Sequence, residues 1–534
     1  MVSGGWQSIP LVSQSNSLLN RIKDYLRRDT PGVAANLRTV PRCKSLAHLA
    51  FCVCLLLPLQ AMAAGEKSLD PSLGFSDCSI GTGAGKLLAQ CTTLMVPLDP
   101  EAADSGSLEL AIARIPARRQ SASTEAFTLL AGGPGQSALE SFPAVSFAFR
   151  HIMRDYDVIL VDQRGTGDSA RLSCPDAPDS LGTEFELDTE HLSELAQECL
   201  DSLEHDPRLF TTSVAVKDLE QVRLALGISQ WNLYGISYGT RVAQHYLRRY
   251  PDRVRTMVLD AVVPPEVTLG PDIAPLAQRT LDLIFQRCVD DSGCFEAFGD
   301  LKELTRTLLE SLEKQPRTLT FEDVATGKLT TLEFTREHLA ITLRLMSYSS
   351  QTAAILPSML HEALINDNFA PLARQANLQS QSLGDSLSTG MHHSVICTED
   401  APFMTAVPVD EDPEFSYMGD AVVDSLLASC KPWPVGRIDE DFKEPLISDK
   451  PVLILSGEAD PVTPPRYGEQ VAKTLVNSRH LINPQQGHMQ APFGCMPVLL
   501  AQFVETADAL SLDTDCLERM RVLPFFIDAN GPLP

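Results

Sequence analysis

From about Leu108 onward, two rhythms of apolar positions alternate along the chain. Short apolar runs predict strands over 108–115, 126–130, 157–161, 231–234, 256–260, 451–455 and 480–482. Spacing of 3.6 predicts helices over 214–226 and 241–249, and a closing helix over 502–510. Strands that alternate with helices in this way build a mostly parallel α/β sheet flanked by helices. Between the strands at 256–260 and 451–455 the texture changes. Helical spacing recurs at 274–289, 301–312, 336–346 and 353–365, and strand-like runs are few. So long an interval inside a sheet protein reads as an inserted, mainly helical cap. A cap in that place overhangs the carboxyl ends of the strands, where open α/β sheets bind ligands. The return of a core-like strand at Pro451 argues against a separate tandem domain. The expected organisation is an N-terminal extension and signal peptide over 1–63, a first part of the core over 64–265, the cap over 266–450, and a C-terminal part of the core over 451–534.

The N-terminal segment is set apart by a single apolar run, 46–59, with Arg42 and Lys44 before it and Ala61-Met62-Ala63 after it. A basic flank, a short apolar core and small residues at −3 and −1 predict a secretory signal cleaved after Ala63. The run is short for a membrane span and contains His48 and Pro58, against an uncleaved anchor. Cysteine usage agrees with export. Of 13 cysteines, Cys43, Cys52 and Cys54 fall in this segment, and the rest are even in number. Proximity along the chain pairs them as Cys78–Cys91, Cys174–Cys199, Cys288–Cys294, Cys397–Cys430 and Cys495–Cys516, as disulfides of an oxidising compartment. A secreted or periplasmic location follows. No C-x-x-C or Cys/His cluster has zinc spacing, so neither metal nor cofactor is expected. With 43 Lys and Arg against 69 Asp and Glu, the net charge of −26 excludes nucleic acid and anionic membrane as partners.

Gly235-Ile236-Ser237-Tyr238-Gly239 stands between a predicted strand and a predicted helix, which is the setting a G-x-S-x-G nucleophile elbow requires. The pentapeptide alone is a weak signal, and its context supplies the specificity. A serine hydroxyl needs a base, and the base needs an orienting carboxylate. On the α/β-hydrolase fold these follow in the order serine, acid, histidine. Asp460 lies just past the strand at 451–455, with Glu458 as the rival carboxylate earlier in the turn. His488 follows the strand at 480–482. His392 and His393 precede Asp460 and fit the order badly. The oxyanion of a tetrahedral intermediate needs preorganised donors. These are expected from the Tyr238 N–H and from Gly133, preferred over Gly132, in the loop Gly132-Gly133-Pro134-Gly135.

Taken together, that loop, Asp162-Gln163-Arg164-Gly165-Thr166-Gly167-Asp168-Ser169, the elbow continued to Thr240, and Gly457-Glu458-Ala459-Asp460-Pro461-Val462-Thr463-Pro464 with Gly487-His488 resemble the prolyl aminopeptidase and tripeptidyl aminopeptidase family of α/β-hydrolases. The resemblance runs from about Cys78 to Cys516. It implies a secreted serine exopeptidase without cofactor that releases short pieces from peptides with a free N-terminus. Ala131 stands where prolyl aminopeptidases have His before the glycine loop, and Tyr238 where they usually have Trp; both favour the tripeptidyl branch. The resemblance further implies an acidic partner in the cap for the substrate's ammonium group. Cys397-Thr398-Glu399-Asp400 is similar to the stretch concerned, with Glu399 first and Asp400 second. Gln163 and Arg164 read as structural support for the oxyanion loop. An esterase or lipase would be served by the same triad, and an inactive binding protein is the reading from a different class. An epoxide hydrolase or dehalogenase is disfavoured, because those place an aspartate where Ser237 stands.

Overall fold

The computed structural model describes residues 73–532 other than 82–84, 103, 120–123, 175–188, 325, 405–415, 420 and 529. The expected signal segment and its cleavage after Ala63 lie outside the described residues. Among those residues one sheet has the strand order β1-β2-β3-β5-β4-β6-β7-β10-β11. Its strands are β1 (Ser76–Ile80), β2 (Leu87–Pro97), β3 (Ser107–Ile115), β4 (Ala126–Leu130), β5 (Asp157–Val161), β6 (Trp231–Ile236), β7 (Val254–Asp260), β10 (Val452–Gly457) and β11 (Ser478–Asn483). From β5 across to β11 every pairing is parallel, whereas β1, β2 and β3 join antiparallel. β10 is buried at each of its residues, as expected of a parallel strand covered on both faces.

Helices α1 (Ala138–Val145), α2 (Thr212–Ala225) and α3 (Tyr238–Arg249) come between the core strands of the first half. α3 presents Val242, Ala243, Tyr246 and Leu247 to the apolar core shared with Trp231, Leu233 and Met257. The interval between β7 and β10 is helical, as its periodicity predicts. It contains α4 (Ile273–Asp290), α5 (Leu301–Lys314), α6 (Arg336–Ser347), α7 (Ser350–Ile365) and α8 (Ala370–Ser386). These helices close on a core of their own, with Leu281, Leu308, Leu343, Leu356 and Leu372 at 0% exposure. A polar hairpin, β8 (Arg317–Glu322) with β9 (Leu329–Phe334), is also part of this layer. Its exposed positions alternate with half-buried ones, and only Phe321 and Phe334 are buried, so no strong apolar run marks it in the sequence.

After β10 come α9 (Pro465–Ala472) and, following β11, α10 (Met496–Thr506). The closing helix starts earlier than its apolar spacing suggested. Pro497 is tolerated in its first turn, and Ala507 ends it in the left-handed conformation at φ 53°. The tail, expected to belong to the sheet half, returns to the helical layer instead. Phe525 is buried among the cap helices, Arg287 stands 4.0 Å over its ring, and the Phe526 N–H donates to the Ala354 carbonyl at 3.0 Å. The five disulfides connect the cysteines in the pairs expected from their proximity. They place the protein in an oxidising, extracellular or envelope location. Among the described residues, no helix is long and apolar enough to cross a membrane.

Candidate active site

At the end of β6 the chain turns so sharply that Ser237 takes φ 53° and ψ −123°. A non-glycine residue held there costs on the order of 1–3 kcal/mol. The two flanking glycines are sterically required. A Cβ on Gly235 would stand 2.5 Å from the Gly239 carbonyl oxygen, and one on Gly239 would collide with the Leu130 carbonyl oxygen. The turn delivers Ser237 to the start of α3, and the N–H of Tyr238, first residue of that helix, is a donor the helix itself does not use. The loop after β4 runs against the serine, since a Cβ on Gly132 would lie 3.3 Å from the Ser237 Cβ. Gly133 takes φ +104°, a conformation that favours glycine.

Asp162 braces this loop, accepting from Ser137 Oγ at 2.6 Å, the Leu139 N–H at 3.0 Å and the Asp168 N–H at 3.2 Å. Burial pushes its pKa up to about 6 against the pull of those donors. Gln163 Nε2 donates to the Tyr238 hydroxyl at 3.1 Å. The Arg164 guanidinium is buried against both oxygens of Asp218 and the Leu98 carbonyl. Gln163 thus supports the tyrosine of the elbow, whereas Arg164 ties the turn after β5 to α2 and to the end of β2 and touches neither the elbow nor the glycine loop.

Asp460 and His488, which are 28 positions apart, are brought together at 2.8 Å between Oδ2 and Nδ1. Asp460 is fully buried, and its carboxylate is fixed by the Val462 N–H at 2.8 Å, the Thr463 N–H at 2.9 Å and Thr463 Oγ1 at 2.8 Å. With Nδ1 held by the carboxylate, the neutral imidazole keeps Nε2 as its basic nitrogen. Burial lowers the His488 pKa, but the charge and hydrogen bond of Asp460, with the charge of Asp260 beyond, outweigh it and leave the pKa raised. Among the described residues, the carboxylate of Glu458, the rival acid, accepts only from the Gln485 N–H at a solvent-exposed turn.

Two residues that motif reasoning missed hold this arrangement. Asp260, the last residue of β7, receives the Ser237 N–H on its backbone carbonyl at 3.0 Å. Its buried carboxylate accepts from Tyr234 Oη at 2.5 Å, the Gln490 N–H at 2.8 Å and the Ala491 N–H at 2.9 Å. One residue thus ties the nucleophile's turn to the histidine's loop. Burial raises its pKa to about 6. An acid closing the apolar run Met257-Val258-Leu259 was the available signal. The second is Tyr348, in the turn between α6 and α7. Its carbonyl accepts from the His488 N–H at 2.7 Å, and its ring meets the imidazole edge-on with centroids 5.3 Å apart. Gly487 fits beneath it because a side chain there would collide with the same carbonyl. Nothing local in the sequence points to Tyr348.

The expected amine-binding pair requires correction. Glu399 and Asp400 are both at 0% exposure. Asp400 is taken up by Arg241, which donates to each of its oxygens at 2.9 Å. The Leu269 N–H adds a contact at 2.9 Å and Lys443 Nζ another at 3.4 Å. Burial works to raise the Asp400 pKa, and the charges of Arg241 and Lys443 overcome it and lower it. Its charge is already matched within the protein. Glu399 accepts from the Thr212 N–H at 2.7 Å and from Thr212 Oγ1 at 3.0 Å. Thr212 Oγ1 in turn meets the Tyr238 hydroxyl at 2.6 Å. Burial raises the Glu399 pKa to about 7 despite Arg241 nearby. It therefore braces the elbow's tyrosine through Thr212 and presents no open carboxylate to a substrate. His392 and His393 are likewise structural: His392 Nδ1 lies 3.2 Å from the Pro134 carbonyl, and His393 packs on Trp433. Among the described residues, no group of three or more His, Cys, Asp or Glu could hold a metal ion.

Residues 125–295 match the family described as alpha/beta hydrolase fold, and residues 415–516 the family described as TAP-like protein. The first span contains Gly133 and Ser237, and the second contains Asp460 and His488. The serine protease Hip1 of Mycobacterium tuberculosis is 27% identical over 436 residues, covering 73% of this chain and 80% of that protein. The tripeptidyl aminopeptidase of Streptomyces lividans is 32% identical over 222 residues, covering 38% and 41%. A carboxylesterase B of Mycobacterium tuberculosis is 31% identical over 271 residues, covering 46% and 52%.

Proposed function

The chain belongs to the α/β hydrolases with a tripeptidyl-aminopeptidase-like C-terminal region, and from that premise we propose that it is a serine exopeptidase releasing short peptides or residues from free N-termini. The observation that carries the reading is the buried Asp460 carboxylate 2.8 Å from His488 Nδ1, joined through Asp260 to the turn that presents Ser237. Ser237 Oγ attacks the scissile carbonyl carbon while His488 Nε2 takes its proton. The Tyr238 and Gly133 N–H groups stabilise the oxyanion. Collapse of the tetrahedral intermediate breaks the C–N bond, and His488 returns the proton to the leaving amine. Water, activated by the same imidazole, then attacks the acyl-enzyme and frees the second product. The reading needs no cofactor. Relatives named as a serine protease and a tripeptidyl aminopeptidase support the peptidase class.

Export through a signal peptide cleaved after Ala63 belongs to the same proposal, and N-terminal sequencing of the exported protein tests it. Esterase action is the second reading, favoured by the relative named as a carboxylesterase. Peptidyl chromogenic amides with free and blocked N-termini, assayed beside short acyl esters, decide between the two. Turnover of the free-amine peptides and not of the blocked ones is the expected result, while cleavage of esters alone overturns it. Covalent labelling of Ser237 by a fluorophosphonate separates both readings from an inactive binding protein.

A further inference from the structure

Arg344, on α6, donates from Nη2 to the Tyr348 hydroxyl at 3.2 Å, and its guanidinium carbon lies 5.8 Å from the centre of that ring. The same ring meets the His488 imidazole edge-on at 5.3 Å, so guanidinium, phenol and imidazole follow one another in a row. Arg344 Nε is buried without a hydrogen-bond partner. Among the described residues no carboxylate pairs with the guanidinium, although the chain has 69 acidic residues against 43 basic ones. Arg306, Arg317 and Arg336 of the helical layer are matched by Glu303, Asp367 and Glu337, and Arg287, which has no carboxylate either, lies over the Phe525 ring away from the imidazole. The fully buried Tyr417 hydroxyl, which lies within the field of Arg344, is likewise without a partner. A half-buried cation without a carboxylate is costly unless something supplies the opposite charge.

The chemistry of the neighbouring imidazole indicates which part of a substrate could supply it. His488 must give its proton to the leaving nitrogen, so the chain downstream of the cut passes the imidazole, against which the Tyr348 ring packs with Arg344 bonded to its hydroxyl. We propose that Arg344 binds a carboxylate on the leaving-group side of the substrate, making peptides with an anion just past the cut the preferred substrate class. The proposal rests on the serine peptidase reading given above. A guanidinium offers a planar pair of donors that a carboxylate matches with two parallel hydrogen bonds. That carboxylate is either the C-terminus of a short peptide or an acidic side chain next to the cut.

Two pairs of peptides tell these sources apart. One pair shares a sequence and differs only in a free or an amidated C-terminus. The other is amidated throughout and has Glu or Gln as the first residue past the cut. In the wild-type enzyme the anionic member of at least one pair should show a kcat/KM roughly 10- to 100-fold higher, the range of a charge-assisted hydrogen bond. The pair that responds names the source. Arg344→Gln should bring that ratio close to one, and Arg344→Lys, which keeps the charge, should preserve much of it. Any change Arg344 makes to His488 itself is shared by both members of a pair and cancels in the ratio. Where Arg344→Gln fails to fold, Arg344→Met keeps the volume and serves the same comparison. Equal rates within both pairs in the wild type, or a preference that survives loss of the cation, overturn the proposal and leave the peptidase reading intact. Failure of the wild type to cleave any of the four peptides overturns both.

Discussion

Two buried polar clusters touch the elements that frame Ser237, and they have opposite charge logic. In the first, Asp460 and Asp260 face His488 with no lysine or arginine among the described residues paired to either carboxylate, so the imidazole is the group whose protonation answers to them. In the second, Glu399 and Asp400 face Arg241 and Lys443, two acids against two cations, and the cluster neutralises itself. Both contain strongly shifted groups: Asp260 rises to about 6 in the first, and in the second Glu399 rises to about 7 and Lys443 falls to about 8, burial being the largest cause in each case. A shifted pKa is therefore not what separates a reacting cluster from a structural one here. On the proposed reading, the free Nε2 of His488 makes the first cluster the reactive one, and Asp260 links it to the strained turn of Ser237. Saturated partners make the second a brace between α3 and the segment that follows the cap helices.

The difference can be tested from the largest expected effect downward. Ser237→Ala should lower kcat by about 10⁴–10⁶ while thermal unfolding stays where it was, because the hydroxyl acts only in chemistry. Retention of near-native turnover would remove Ser237 from the mechanism. Asp400→Asn should do the reverse, destabilising the fold by about 3–5 kcal/mol through the uncompensated Arg241, as read from denaturant midpoints. If the folded variant unfolds like the wild type, the brace is not structural. Asp260→Asn should fall between the two. By weakening the anchorage of Gln490 and Ala491 it should misplace His488 and lower kcat by roughly 100-fold with little change in KM. A loss confined to KM would assign Asp260 to binding.

Glu399→Gln keeps two partners for Thr212 and removes only charge, so peptides with a free amine and small acyl esters should both lose about the same few-fold in kcat/KM. A loss confined to the amine-bearing peptides would restore Glu399 as the partner of the substrate's ammonium. The smallest effect concerns pH. His488 must be neutral to accept the Ser237 proton, and its surroundings favour the protonated form. Activity should therefore fall with decreasing pH through a midpoint above the ordinary histidine value of about 6.5. Asp460→Asn removes the charge responsible and should move that midpoint down. A wild-type profile centred at or below the ordinary value counts against this balance of burial and charge.

The elements legible in advance are those whose cause lies within a few residues. Gly235 and Gly239 are dictated by close approaches of the turn to its own backbone and to β4, so the G-x-S-x-G spacing identified Ser237 before any tertiary contact was known. Asp460 and His488 could be put forward as candidates because both follow predicted strands and because chain order on this fold is restrictive, and the folded chain does bring them together. The disulfides close loops short enough for proximity to pair them. Periodicity likewise found α4 to α7 of the inserted layer, since each hides one apolar stripe, and passed over α8.

What stayed hidden depends on partners distant in the chain. Glu399 and Asp400 looked like free acids until Arg241, 159 positions from Asp400, met them in the folded protein. β1 is short and mostly polar, and it exists through its pairing with β2 and the Cys78–Cys91 bond. The tail around Phe525 has no pattern that names the helical layer as its destination. Tyr348 reaches His488 through a backbone carbonyl, a group every residue carries and no side-chain code reveals. Burial decides whether a charge is matched, and which residues meet in that burial is settled by the packing of one layer on the other.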